Sequence, residues 1–126
     1  QDKLEMRYKR GHSLFETGDV AAARQDFFEV KQTECDYQKA AIYYYSHIAY
    51  EQNDLQVALD GFKQLEGDAS FKSLVPYYIT YIYYKQKNWD EAEAAYKAAW
   101  RANKLKRAKT KLERIETRRA KEASGG

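Results

Sequence analysis

Apolar residues recur along this chain at three- and four-residue spacing, in stretches broken by short polar turns. Val20, Ala23, Phe27 and Val30 form one stripe. Leu55, Ala58, Leu59, Phe62 and Leu65 form a second, and Trp89, Ala92, Tyr96, Ala99 and Trp100 a third. Each reads as the narrow apolar face of an amphipathic helix. A polar break precedes each stripe, and it carries a residue suited to start a helix: Asp19, Asp54, and Asn88 with Glu91 three residues on. The helix before the first break spans Asp2 to Thr17 and stops at Gly18, a residue that accepts the left-handed conformation of a helix C-cap. A third helix is expected from Tyr37 to Gln52 with Asp36 as its cap. Gly67-Asp68 closes the fourth, and Ser73 starts a fifth that tolerates Pro76 in its first turn.

The fifth helix is the one place where local preference and pattern disagree. Tyr77 to Tyr84 reads YYITYIYY, which is rich in strand-favouring residues. It occupies the same place in its unit as Ala40 to Tyr50, AAIYYYSHIAY, which precedes the second break. Helix propensity costs only about a few tenths of a kcal/mol per residue, and packing against neighbours outweighs it. A helix is therefore predicted.

The three breaks and stripes are copies of one another. The small residue recurs at Ala23, Ala58 and Ala92, at spacings of 35 and 34, and a ring follows four residues later at Phe27, Phe62 and Tyr96. A fixed period in this range marks an array of helical repeats. Residues 4–104 resemble the tetratricopeptide repeat family in three units. The matches are Gly11, Leu14, Gly18-Asp19, Ala23 and Phe27 in the first. They are Ala49, Asn53-Asp54-Leu55, Ala58, Phe62 and Leu65 in the second, and Tyr83, Asn88 to Ala92, Tyr96 and Ala99 in the third. Arg7 and Arg10 stand where that family puts large apolar residues, and its closing proline is missing from all three units. The resemblance implies an all-α, right-handed superhelical array of three helix-turn-helix repeats over residues 1–103. A basic capping helix over 104–123 would bring the total to about seven helices, and 124–126 would be a linker or tag remnant.

In such arrays the leading helix of each unit lines a concave groove. Register then places three rows there: Tyr8, Tyr43 and Tyr77; His12, His47 and Tyr81; Phe15, Tyr50 and Tyr84. All nine are rings, with Glu16, Glu51 and Lys85 as a polar edge. Rings at helical spacing also serve as core, which is the expectation for Tyr45, Ile79 and Tyr83. Tyrosine combines contact area with a hydroxyl at low entropic cost, so the groove reads as a surface for a protein or peptide partner.

Composition narrows the field. Hydrophobic residues make up 44% of the chain and charged residues 33%, in 126 residues with one proline. This is a soluble globular domain, with no apolar run near the ~18 residues of a membrane span and no legible secretory leader. The chain begins at Gln1, which reads as processed or excised. Its net charge of +3 is unevenly spread. Residues 101–123 hold ten basic and three acidic residues, a local balance of +7 that leaves −4 for the rest. Glutamates among the lysines, and no interleaved rings, make nucleic acid an unexpected partner for that tail.

Chemistry finds little footing. The chain has no phosphate loop, zinc-protease motif or nucleophile elbow. Cys35 lacks an obvious histidine partner and reads as an ordinary half-buried residue. His12 with Glu16, and His47 with Glu51, each lie one helical turn apart. Helix axes ~8–10 Å apart set the two pairs too far apart to converge at ~2.1 Å on one ion. No enzyme, metal or cofactor is expected.

In the tail, Leu105, Ala108, Leu112 and Ile115 make a narrow apolar seam that suits a helix laid over the last repeat. Near residue 90 the composition shifts from tyrosine-rich to Ala, Glu, Lys and Arg, and the chain ends Ser124-Gly125-Gly126. This pattern reads as a redesigned or fused C-terminal part. Two functions emerge as expectations. One is a protein- or peptide-binding scaffold working through the aromatic groove. The other is a self-assembling module that oligomerises through Trp100, Leu105, Leu112 and Ile115.

Overall fold

The computed structural model describes the backbone of residues 2–125 and the side chains of residues 2–104 and 112–124. The described residues form six α-helices and no strand. They are α1 (Asp2–Thr17), α2 (Val20–Lys31), α3 (Gln38–Glu51), α4 (Leu55–Gln64), α5 (Val75–Lys85) and α6 (Trp89–Gly125). The fold is an all-α array of three hairpins, α1–α2, α3–α4 and α5–α6, with each helix packed on the next in chain order. No described helix is long and apolar enough to cross a membrane.

The repeat is visible in the backbone of the tight turns. Gly18, Asn53 and Lys87 all adopt positive φ, at 94°, 63° and 61°. After each, an amide reaches back along the chain to close the leading helix: Asp19 to the Leu14 carbonyl at 2.9 Å, Asp54 to Ala49 at 2.8 Å, Asn88 to Tyr83 at 2.9 Å. This is the Schellman closure, and it needs one left-handed residue. Only the first unit supplies glycine there. Asn53 tolerates the conformation, whereas Lys87 adopts it against a steric cost of about 1–2 kcal/mol.

Capping differs from expectation at two helices. The Asp19 side chain accepts from the Ala22 amide at 3.3 Å and caps α2. Asp54 occupies the cap position of α4, but its carboxylate binds Arg24 at 2.9 Å instead of a helix amide. Asp36 does not cap α3, which opens at Tyr37 without a side-chain cap. Helix α5 begins at Val75, two residues after Ser73, with Pro76 in its first turn. Packing, not propensity, makes Tyr77–Tyr84 helical: Ile79, Ile82 and Tyr83 are buried in one cluster with Phe62, Leu65 and Ala92.

Within each of the first two hairpins the helices approach over small residues. Gly61 of α4 lies so close to Ser46 of α3 that an added Cβ would meet its Oγ at 1.8 Å. Gly11 of α1 faces Asp26 and Phe27, where an added Cβ would stand 3.0 and 3.2 Å from their nearest atoms. Asp26 is only 2% exposed. Arg10 reaches over and donates to both its carboxylate oxygens, from Nε at 2.8 Å and from Nη2. Arg10 therefore interrupts no apolar seam: it neutralises a buried acid, the pairing that burial demands. Phe27 and Phe62 are fully buried beside the close approaches, each worth about 1.5–3 kcal/mol in removed apolar surface.

The expected separate capping helix does not form. Residues 104–123 continue α6 as one rod of 37 residues, about 55 Å long at 1.5 Å per residue. Without glycine or proline near Asn103, nothing stops the helix there. The side chains of residues 112–124 are all exposed, so this part of the tail covers no repeat.

Two substitutions test the packing and turn arguments. Gly61→Ala should destabilise the fold by about 1–3 kcal/mol through overpacking. Lys87→Gly should stabilise it, by about 1 kcal/mol, by relieving the left-handed turn. Denaturant unfolding followed by circular dichroism measures both. An unchanged midpoint for Gly61→Ala would contradict the close approach.

Candidate functional site

The nine rings expected in one groove divide into two groups. Tyr8, His12, Phe15, Tyr43, His47 and Tyr50 are half-buried, whereas Tyr81 and Tyr84 are 54% and 63% exposed. Tyr77, on the same helix as Tyr81 and Tyr84, is half-buried like the first six. The rings of the first two units are each met by a following helix, whereas among the described residues no hairpin follows the one that carries Tyr81 and Tyr84.

Tyr44 of α3 lies among the rings of the first hairpin. Its centroid is 5.1 Å from Phe27, stacked at 15°, and 5.4 Å from both His12 and Phe15, with Tyr8 at 6.5 Å. Tyr78 of α5 repeats this on the second hairpin. It stacks on Phe62 at 4.6 Å and 9°, with Tyr50 at 5.5 Å, His47 at 5.7 Å and Tyr43 at 6.4 Å. The two knobs are 34 residues apart, and their sockets are built from equivalent positions. Offset-stacked and edge-on rings of this kind gain about 0.5–1.5 kcal/mol per pair beyond burial. Tyr78 also reaches His47 through its hydroxyl, 3.1 Å from Nδ1. Burial, followed by a hydrogen bond to Tyr78, pushes the Tyr43 phenol above the usual tyrosine range. Burial does the same to Tyr8.

The third socket is built from the same positions: Tyr77, Tyr81 and Tyr84 on α5, and Tyr96 on α6. Among the described residues no later helix supplies a knob. Tyr96, Trp89 and Trp100, three members of the apolar stripe of α6, are 54%, 56% and 49% exposed. Only Ala92 and Ala99 of that stripe are buried. Two hollows open here. One of about 430 Å³ lies between Tyr81, Tyr84, Trp89 and Tyr96, with Glu93 at its edge. Another of about 370 Å³ lies beside Tyr77, Tyr96 and Trp100, with Asn103 and Lys104. Tyr84 and Trp89 meet edge-on at 5.2 Å. The first hollow is almost wholly apolar, the form of a recognition site, and the second is polar over about half of its lining.

His12 approaches Glu16 at 3.6 Å and His47 approaches Glu51 at 3.9 Å, each along its own helix. Cys35 is half-buried against the first core cluster. The four residues grouped as an assembly surface do not share one line. Leu112 and Ile115 are 57% and 41% exposed, but at about 100° per residue Leu112 lies roughly 120° around α6 from Trp100 and Ile115 roughly 60°. Leu105 lies outside the residues whose side chains are described.

The sequence reading missed Tyr44 and Tyr78, and it left Trp89 and Tyr96 as members of an apolar stripe without foreseeing their exposure. The signal for the knobs was present: Tyr44 and Tyr78 directly follow Tyr43 and Tyr77 at the repeat spacing.

Knob and open rings should respond differently to truncation. Half-buried Tyr78 makes four ring contacts, so Tyr78→Ala is expected to cost about 2–3 kcal/mol, below the ~3–5 kcal/mol of a fully buried ring, and Tyr84→Ala less than about 1 kcal/mol; unfolding midpoints compare them. The half-buried phenols of Tyr43 and Tyr8 also set an alkaline limit. The folded chain keeps Tyr43 and Tyr8 neutral, while the unfolded chain releases those protons from about pH 10. Their contribution is that of a neutral group held in place: the stability is unaffected below that pH and falls as pH rises through it. Tyrosinate absorbance should show a class of tyrosines that titrates only together with loss of helix.

Compared with known proteins, the chain matches no family model, no curated protein and no solved structure.

Proposed function

We propose that the chain is a protein- or peptide-binding scaffold of the tetratricopeptide kind, and that it binds through the open aromatic end of its array. The observation that carries this reading is the cluster of five large rings, Tyr81, Tyr84, Trp89, Tyr96 and Trp100, each about half exposed on one hairpin. Monomeric proteins rarely leave so much contiguous apolar surface without use. Tyrosine and tryptophan are also the side chains that most often anchor partners. The six rings of the first two units contribute by shaping the array, since the knobs Tyr44 and Tyr78 occupy their faces.

Self-assembly is the second reading, favoured by exposed Leu112 and Ile115 on the projecting part of α6. Leu112→Asp would abolish such assembly and leave partner capture intact.

The test compares the intact chain with a Tyr81→Ala/Tyr84→Ala/Tyr96→Ala variant in pull-downs, with circular dichroism to verify that both are folded. A partner retained by the first and lost by the second supports the reading. Equal capture by both contradicts it.

A further inference from the structure

Within this one chain the same aromatic socket is built three times and filled twice. The two occupants define what fits it. Tyr44 enters the first socket from α3, with Ala41 three residues before it, Tyr45 next to it and Ile48 four residues after. Tyr78 enters the second from α5 in the same setting, with Val75, Ile79 and Ile82. Ala41, Ile48, Val75, Ile79 and Ile82 are all buried. Each occupant is thus a helix that presents a small or branched residue, a tyrosine, an adjacent apolar residue and an isoleucine along one face.

From this internal precedent we propose that the open socket of Tyr77, Tyr81, Tyr84 and Tyr96 binds an amphipathic α-helix of another protein, which inserts a tyrosine between these rings as Tyr44 and Tyr78 do in theirs. The proposal rests on the binding reading above and names the partner's chemistry.

Charge points the same way. The helix that fills the second socket ends in Lys85, whose ammonium sits 4.2 Å above the Tyr50 ring. Tyr84 is the equivalent of Tyr50 in the third socket, and Glu93 lines the same hollow. A lysine or arginine seven residues after the inserted tyrosine would therefore meet both a ring face and a carboxylate. Glu93 already pairs with Lys97 at 2.9 Å, on a strongly exposed surface, so the incoming cation would join a pair rather than an isolated charge.

A second copy of this chain does not supply such a helix in head-to-tail stacking. In α1 the positions equivalent to Tyr44 and Ile48 are Lys9 and Ser13, and Lys9 is paired with Glu5 at 3.0 Å. The leading face of the array is polar where a knob would be required. Helices α3 and α5 of a second copy are already engaged in its own sockets.

The two tryptophans of the chain, Trp89 and Trp100, both stand at the open socket. Their fluorescence therefore reports on it without a label. The probe is a synthetic peptide of residues 72–87, which carries Tyr78 and Lys85 and no tryptophan. Titrated into the full chain, it should shift the emission to the blue in a saturable manner. A Tyr78→Ala peptide should bind about tenfold or more weakly, the loss typical of an anchor residue. Tyr84→Lys and Tyr96→Ala chains, each shown to be folded by circular dichroism, should lose the response. No saturable shift, or equal binding by both peptides, overturns the proposal. So does an emission shift that depends on chain concentration alone with a dimer mass by light scattering, because a second copy then covers the face. If the peptide fails while pull-down capture still depends on Tyr81, Tyr84 and Tyr96, the helical occupant is wrong and the binding reading stands. If both fail, the binding reading falls as well.

Discussion

One contact organises this molecule: a tyrosine from the leading helix of a hairpin stacked on the buried phenylalanine of the hairpin before it. Tyr44 on Phe27 and Tyr78 on Phe62 are the same contact made twice. A helical hairpin cannot bury its own apolar face, so it gains stability only by receiving the next one. The rings around each knob supply area and edge-to-face geometry. The hydroxyl of Tyr78 finds His47, so the buried polar end is not left without a partner. The site arises from the same rule. The last hairpin carries the same receiving rings, and no described helix fills them.

Close approach within the hairpins makes the stacking geometry reproducible. Gly11 and Gly61 let the leading and trailing helices nearly touch, and the left-handed residues Gly18, Asn53 and Lys87 turn the chain through the same path each time. Charged groups then fasten neighbouring units. Arg24 of α2 reaches the Gln52 side chain, Asp54 and the face of Tyr45 in the second hairpin, and Lys39 of α3 pairs with Asp68 beyond α4. Exposed pairs contribute little individually. Arg24 is the exception in kind, because its side chain is largely covered and its guanidinium serves three groups at once.

Much of this was legible in the sequence. The spacing of Ala23, Ala58 and Ala92 and the rings four residues later located the hairpins, and the repeat register overrode the strand preference of Tyr77–Tyr84. The side of the rings was harder to read. Register assigned Tyr8, Tyr43 and their neighbours to a shared hollow, but register cannot tell whether a ring faces solvent or the next unit's tyrosine. That depends on the residue one place further on, Tyr44 or Tyr78, and on a succeeding hairpin being present. Trp89 and Tyr96 are exposed for the complementary reason: their stripe repeats those of α2 and α4 in a unit whose receiving face no described helix covers. The sequence left both a helix that stops at Asn103 and one that runs on open, because an apolar seam specifies a face and not a bend, and no residue near Asn103 forces one.

The most direct measurement of the central contact is a nuclear Overhauser spectrum of the aromatic protons in the isolated chain. The stacking predicts strong cross-peaks between Tyr44 and Phe27 and between Tyr78 and Phe62, while Tyr96 shows none to any ring outside its own hairpin. Absence of the first two contacts, or a ring from elsewhere in the chain seated on Tyr96, would contradict the account.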